Sequence, residues 1–198
     1  MGGPRRTADH FSKRARAEHY PARSIYKLEE IDRRVRLLKP GHSVLDLGAA
    51  PGSWTLYAAK KVGPSGRVVA VDRAALTVGT PANAVYIQAD ALAIDPAELL
   101  ARVGGGGFDA VISDMAPATS GHRFVDQSRS FALFCRAAEL AGALCRPGGG
   151  FVGKIFQGED FETARGNLRE LFAEVKVIRP QSVRTESYEL YLVGLRRK

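Results

Sequence analysis

Residues 43 to 54 read S-V-L-D-L-G-A-A-P-G-S-W, an apolar run that breaks into a glycine-containing turn and then enters a helical pattern. Val44, Leu45 and Leu47 supply a short buried strand. Gly48 and Gly52 permit torsions and close approaches that a Cβ would block, and Ser53 is placed to cap the helix. Free backbone N–H groups at such a turn meet the polar end of a ligand, so the segment reads as a nucleotide-type cofactor site. The glycines fit neither G-x-G-x-x-G nor G-x-x-x-x-G-K-[ST], which disfavours nicotinamide cofactors and a Walker-type phosphate cradle.

From this turn the pattern alternates. Residues 53 to 62 are expected as helix, 67 to 72 as strand, 84 to 90 as strand, 96 to 103 as a short helix and 108 to 113 as strand. A helix over 126 to 144, a strand over 150 to 155, a helix over 161 to 172 and strands over 175 to 179 and 189 to 195 complete the series. Seven strands alternating with helices predict an α/β fold with a doubly wound, mostly parallel sheet. Upstream, Ile25, Leu28, Ile31, Val35 and Leu38 recur every three or four residues, an amphipathic helix ended by Lys39, Pro40 and Gly41. Its other face carries Lys27, Arg33, Arg34 and Arg36. Residues 1 to 22 are expected as a basic, flexible or loosely helical arm, and residues 23 to 198 as one domain.

In doubly wound sheets ligands bind beyond the carboxyl ends of the strands. Asp72, Asp90 and Asp114 each follow such an end, so three sequence-distant acids converge on one crevice. An acid in the place of Asp72 accepts from ribose hydroxyls, and Asp90 is placed to meet an adenine amino group. Both positions are also compatible with ordinary turn acids. Trp54, the single tryptophan, either walls that pocket or packs in the core. Lys154 lies in the strand pattern G-F-V-G-K-I-F, where an ammonium must be paired or deprotonated. It is a candidate general base, with Lys27 as a neighbouring cation and Asp114 and Glu189 as orienting acids, or else a member of a structural ion pair.

The charge is +8 overall and unevenly spread: residues 1 to 39 carry +6, residues 176 to 198 carry +4 and the middle is slightly acidic. Basic ends flanking a non-basic centre favour a polyanionic partner. No apolar run approaches the length of a bilayer span and the first residues lack a secretory apolar core, so a cytoplasmic protein is expected, with a monomer as the default. Cys135 and Cys145 are assigned to the apolar helical pattern from Phe131 to Leu144 and read as buried thiols, and the four histidines show no metal-ligand spacing, so no metal is expected.

D-L-G-A-A-P-G resembles the first motif of S-adenosylmethionine-dependent methyltransferases. R-S-I-Y-K-L-E-E-I at 23 to 31, D-L-G-A-A-P-G-S-W at 46 to 54, S-D-M-A-P at 113 to 117, F-V-G-K-I-F-Q-G at 151 to 158 and S-Y-E-L-Y-L-V at 187 to 193 follow one another in the order of the FtsJ (RrmJ) family of RNA ribose 2′-O-methyltransferases. That resemblance implies a Rossmann-like methyltransferase fold, S-adenosylmethionine as cofactor, and a catalytic tetrad on Lys27, Asp114, Lys154 and Glu189. Glu186 competes with Glu189 for the fourth role. It implies cofactor contacts at Gly52, Trp54, Asp72, Asp90 and Asp114, and a uridine in the A-loop of large-subunit ribosomal RNA as target. The chain has Ser53 where relatives often have glycine, a small change compatible with binding. Transfer RNA or organellar ribosomal RNA as substrate, a small-molecule or protein methyltransferase, and a non-catalytic RNA-binding or ribosome-assembly factor that retains the fold are the alternatives.

Overall fold

The structure, a computed structural model, describes residues 6 to 198, with side chains described from residue 10. The start of the expected basic arm, residues 1 to 5, lies outside the described residues. The elements run α1 (Arg6–Ala17), α2 (Ile25–Val35), β1 (Ser43–Leu47), α3 (Ser53–Val62), β2 (Arg67–Asp72), β3 (Ala84–Gln88), α4 (Pro96–Ala101), β4 (Phe108–Ser113), α5 (Arg123–Leu144), β5 (Cys145–Phe156), α6 (Phe161–Leu171), β6 (Phe172–Ile178) and β7 (Glu189–Arg197).

The strands form one sheet in the order β3-β2-β1-β4-β5-β7-β6. The first five are mutually parallel and β7 enters antiparallel between β5 and β6. Central strands carry apolar residues on both faces because helices cover both. On one face Leu45, Leu47, Val69, Val111 and Phe151 pack beneath residues of α4, α5 and α6. On the other, Val44, Val68, Ile112, Val152 and Tyr191 meet residues of α1, α2 and α3.

Several boundaries differ from the sequence expectation. The first amphipathic helix stops at Val35, where Arg36 turns left-handed (φ 52°), rather than continuing to Leu38. The buried Asp32 accounts for the early stop: its carboxylate accepts from the Leu38 N–H at 2.9 Å and from the Tyr57 hydroxyl at 2.9 Å, which curls the chain back against α3. β5 begins at Cys145, five residues early, because Cys145 pairs with Phe108 before a register shift places Gly150 opposite Ala110. In the segment preceding α2, Ala15 is only 2% exposed and Phe11 packs beside it. Cys145 is buried, while Cys135 is half-buried on α5. No helix among the described residues is long and apolar enough to cross a membrane.

Asp46, inside β1, is fully buried and carries one oxygen that accepts from the Thr55 hydroxyl at 2.7 Å and one without a hydrogen-bond partner. Burial pushes its carboxyl up to about 7, with only partial relief from Thr55. A group raised on folding binds its proton more tightly in the native state, so the contribution of Asp46 to stability falls as pH rises from about 4 to about 7 and then levels off. The full drop is on the order of a few kcal/mol. Asp46→Asn, which cannot ionise, is expected to lose this component. The check is urea denaturation of both proteins between pH 4 and 8, in which the stability gap must shift in the variant's favour as pH rises.

Candidate active site

Two registers assemble the polar centre. In the β5–β7 ladder Lys154 lies opposite Tyr191 and Phe156 opposite Glu189; in the β4–β5 ladder Ser113 lies opposite Gly153, which sets Asp114 just past the end of its strand. Lys154, only 7% exposed, reaches Asp114 twice: its ammonium donates to the backbone carbonyl at 2.6 Å and sits 3.1 Å from Oδ1. The Tyr191 hydroxyl donates to the same Oδ1 at 2.7 Å. From α2, Lys27 points inward rather than along the solvated face and pairs with Glu189 Oε1 at 2.5 Å, with 11% and 14% of the two side chains exposed. Glu186 is exposed and the acid opposite Lys27 is Glu189.

The centre is charge-balanced, two ammoniums against two carboxylates, which makes burial tolerable. Burial alone would push the Asp114 carboxyl up, but the ammoniums of Lys154 and Lys27, with the hydroxyl of Tyr191, together hold it below its ordinary value. Burial, reinforced by Asp114 and Glu189, drives the Tyr191 phenol well above its ordinary value, so it stays a hydrogen-bond donor. Sequence reasoning misses Tyr191. The signal is nevertheless present, since residues 189 and 191 share one face of a period-two strand.

Beside this centre opens a cavity of ≈ 550 Å³ lined by Gly48, Val71, Asp72, Asp90, Asp114 and Met115 among others. Its volume lies within the range of small-molecule sites. Gly48 (φ 77°) forms its floor at closest approach to the chain after β4: a Cβ there would come within 2.8 Å of the Met115 backbone nitrogen. Asp72 accepts from the Ala50 N–H at 2.9 Å and from the Ala74 N–H at 2.8 Å, one bond on each oxygen, which leaves lone pairs for a ligand's hydroxyls. Asp90 accepts from the Leu92 N–H at 2.9 Å, and its side chain is 40% exposed.

Acceptors at two edges and apolar walls between them, from Val71, Ala91, Leu92 and Leu133, fit a nucleoside with hydroxyls at one end and an amine at the other. Of the expected cofactor residues, Asp72, Asp90 and Asp114 are brought together here. Gly52 and Trp54 do not line the cavity. Gly52 lies under the following loop, where a Cβ would meet Val78 at 2.5 Å. Trp54 is buried on the α2 side, its indole N–H donating to the Ser24 carbonyl at 2.9 Å and its ring 5.9 Å from that of Tyr191.

A mostly parallel sheet with a cavity at the carboxyl ends of its strands, completed by an antiparallel seventh strand, is the architecture of the methyltransferase class of α/β enzymes. The FtsJ-like methyltransferase family model matches residues 20–197, and the chain belongs to that family. It is 54% identical, over 98% of its own length and 91% of the relative's, to the ribosomal RNA large subunit methyltransferase E of Sorangium cellulosum (strain So ce56). Its identity to the enzyme of that name from Myxococcus xanthus (strain DK1622) is 48%, over 100% of this chain and 93% of the other. Among solved structures it is similar to a Plasmodium falciparum protein provisionally described as a ribosomal RNA methyltransferase, with TM-score 0.78, 23% identity and coverage of 90% and 98% of the two chains. Aeropyrum pernix fibrillarin, crystallised with S-adenosyl-L-methionine, matches with TM-score 0.55 and 17% identity over 80% of this chain and 68% of that one. The two structural matches are likenesses of fold.

Removing the Tyr191 hydroxyl leaves the Asp114 carboxylate with one fewer donor in a nearly dry setting. Tyr191→Phe is expected to lower unfolding stability by roughly 1.5–3 kcal/mol, the usual worth of a hydrogen bond to a charged group. Urea titration at pH 7 measures it, and a change within error would show that the bond contributes nothing.

Proposed function

We propose that this protein transfers the methyl group of S-adenosylmethionine to a ribose 2′-oxygen of ribosomal RNA, with a uridine in the A-loop of the large-subunit RNA as its target. The observation that carries the reading is Lys154 paired with Asp114, which itself lines the cavity shared with Asp72 and Asp90, together with the buried Lys27–Glu189 pair. Relatives named ribosomal RNA large subunit methyltransferase E, 54% and 48% identical over nearly the whole chain, support the choice of substrate.

Asp72 and Asp90 would hold the ribose and adenine ends of the cofactor, and Gly48 would let its body approach the backbone. When bound, S-adenosylmethionine supplies a methyl group already activated by a sulfonium. The remaining work is alignment, and positioning contributes up to roughly 7–11 kcal/mol in well-oriented reactions. Lys154 performs it. It would either steer the incoming hydroxyl as an ammonium paired with Asp114, donating to its oxygen, or act as the base that takes the hydroxyl proton at Nζ. Lys27, held by Glu189, keeps a second cation beside the reacting oxygen. Asp114 fixes Lys154, and Tyr191 fixes Asp114.

The basic segments supply affinity. Arg and Lys of residues 1 to 22, the exposed Arg33, Arg34 and Arg36 of the α2 end and the basic 176 to 198 stretch track phosphates, while the 2′-hydroxyl separates RNA from DNA. On this reading the protein works as a monomer in the cytoplasm on RNA within the large ribosomal subunit.

The test is incubation with labelled S-adenosylmethionine and either free RNA or isolated large subunits, followed by mapping of alkali-resistant label. Lys154→Ala is expected to lower methyl transfer at least 100-fold while S-adenosylmethionine affinity stays near wild type by calorimetry; wild-type turnover in that variant removes Lys154 from catalysis. RNA affinity should fall steeply with salt, by roughly 1000-fold between 50 and 200 mM if about six phosphates are neutralised. A flat salt response would disqualify the basic segments as the source of binding.

A further inference from the structure

The ribose-aiming lysine has an aromatic neighbour that the proposed chemistry leaves unused. Tyr188 directly precedes Glu189, and Phe156, the register partner of Glu189, meets the Tyr188 ring edge-on with centroids 4.8 Å apart and planes at 70°. Over the Tyr188 ring lies the guanidinium of Arg123, 5.3 Å from its centroid. Arg123 opens α5 and is exposed, and the next residue, Phe124, is 68% exposed, the most exposed large hydrophobic side chain among the described residues.

The backbone that carries these side chains is fixed at both α5 and β5. Ser120 donates to the buried Asp126 from its backbone N–H at 2.8 Å and from its hydroxyl at 2.9 Å, which fixes the entry into α5. The Phe156 N–H donates to the Ser130 hydroxyl at 3.0 Å, and the Gln127 amide donates to the Gln157 carbonyl, tying the first turns of α5 to the end of β5. Lys154 is two residues upstream on that strand.

Phe124 is not an isolated surface apolar side chain, which would need no explanation: it directly follows Arg123, whose guanidinium lies over the Tyr188 ring. Arg123 and Arg129 are both exposed on the first two turns of α5. Two exposed guanidiniums do not suit a basic peptide, whereas they suit a phosphate chain. Bases that project from such a chain stack on aromatic rings and on guanidinium planes.

We propose that Arg123, backed by Tyr188 and Phe156, and the neighbouring Phe124 form a stacking platform for an unpaired RNA base beside the nucleotide whose ribose Lys154 aims. The proposal rests on RNA as the substrate and adds to it a single-stranded or splayed-out element. An unpaired base gives the platform a face to cover; a base inside a duplex is already covered by its neighbours and offers none. The platform therefore selects RNA by strandedness, at a position outside the cofactor cavity.

The experiment measures affinity for a single-stranded oligouridylate carrying one 2-aminopurine, and for the same strand annealed to its complement. Wild-type protein is expected to bind the single strand more tightly and to quench the 2-aminopurine fluorescence. Phe124→Ala should weaken single-strand binding roughly 5- to 100-fold, the range for loss of one base–aromatic stack, and abolish the quenching, with duplex affinity unchanged. Phe124→Trp should restore both, and Arg123→Ala should weaken the single strand more than the duplex. On large subunits the loss in Phe124→Ala should appear as a raised KM for the subunit. Equal losses on single strand and duplex, no loss at all, or no preference of the wild type for the single strand would each overturn the platform. Because the titration reads binding without methyl transfer, its outcome is separate from that of the labelling experiment: a wild type that stacks RNA but does not label it sinks the enzymatic reading and not the platform.

Discussion

The Asp114 carboxylate is the point through which the rest of the site is held. Its backbone N–H donates to the Leu47 carbonyl at 3.1 Å, so it is anchored to the end of β1, the strand that feeds the glycine turn. Its carbonyl and one carboxylate oxygen fix Lys154 on β5, and the same oxygen takes the Tyr191 hydroxyl from β7. One residue thus connects four strands, β1, β4, β5 and β7, and also lines the cavity wall. Two cations without it would repel one another in a site with little water to screen them. With it, and with Glu189 on Lys27, the charges cancel within a few ångströms.

That arrangement explains why an acid placed directly after a strand is informative in the amino-acid sequence itself. Asp72, Asp90 and Asp114 are readable because the topology of a parallel sheet brings its strand ends to one rim, whatever the side chains. Lys154 is readable because an ammonium inside an apolar strand must have a partner. The pairing of Lys27 with Glu189 instead needs the antiparallel register of β7, which puts Glu189 against Phe156 and within reach of α2.

What stays hidden in the sequence depends on neighbours far away in the chain. The end of α2 follows from Asp32 meeting Tyr57, 25 residues on, and no local pattern announces it. Trp54 faces Ser24 and Tyr191 rather than the cavity because the first turn of α3 is rotated toward α2, a matter of packing between helices. Asp46 reads as one more strand acid, but it occupies a position where both faces of the sheet are covered, so its charge is unwelcome. Buried polar groups are the hard part of such a chain. The apolar skeleton is the easy part, because periodicity reports it directly.

The placement of β7 also bears on how the molecule comes into being. Of the seven strands it is the last to be synthesised, yet it is an interior member of the sheet, with β5 on one side and β6 on the other. Until residues 189 to 197 emerge from the translating ribosome, β6 has no neighbour to bond with and β5 exposes an open edge. The five parallel strands, among them those whose ends line the cavity, all precede β7 in the chain, whereas Glu189 and Tyr191 come with that last strand. The final strand acts as the closing stave of the sheet, and it brings Glu189 and Tyr191 to a polar centre whose other members come from α2, β5 and the end of β4.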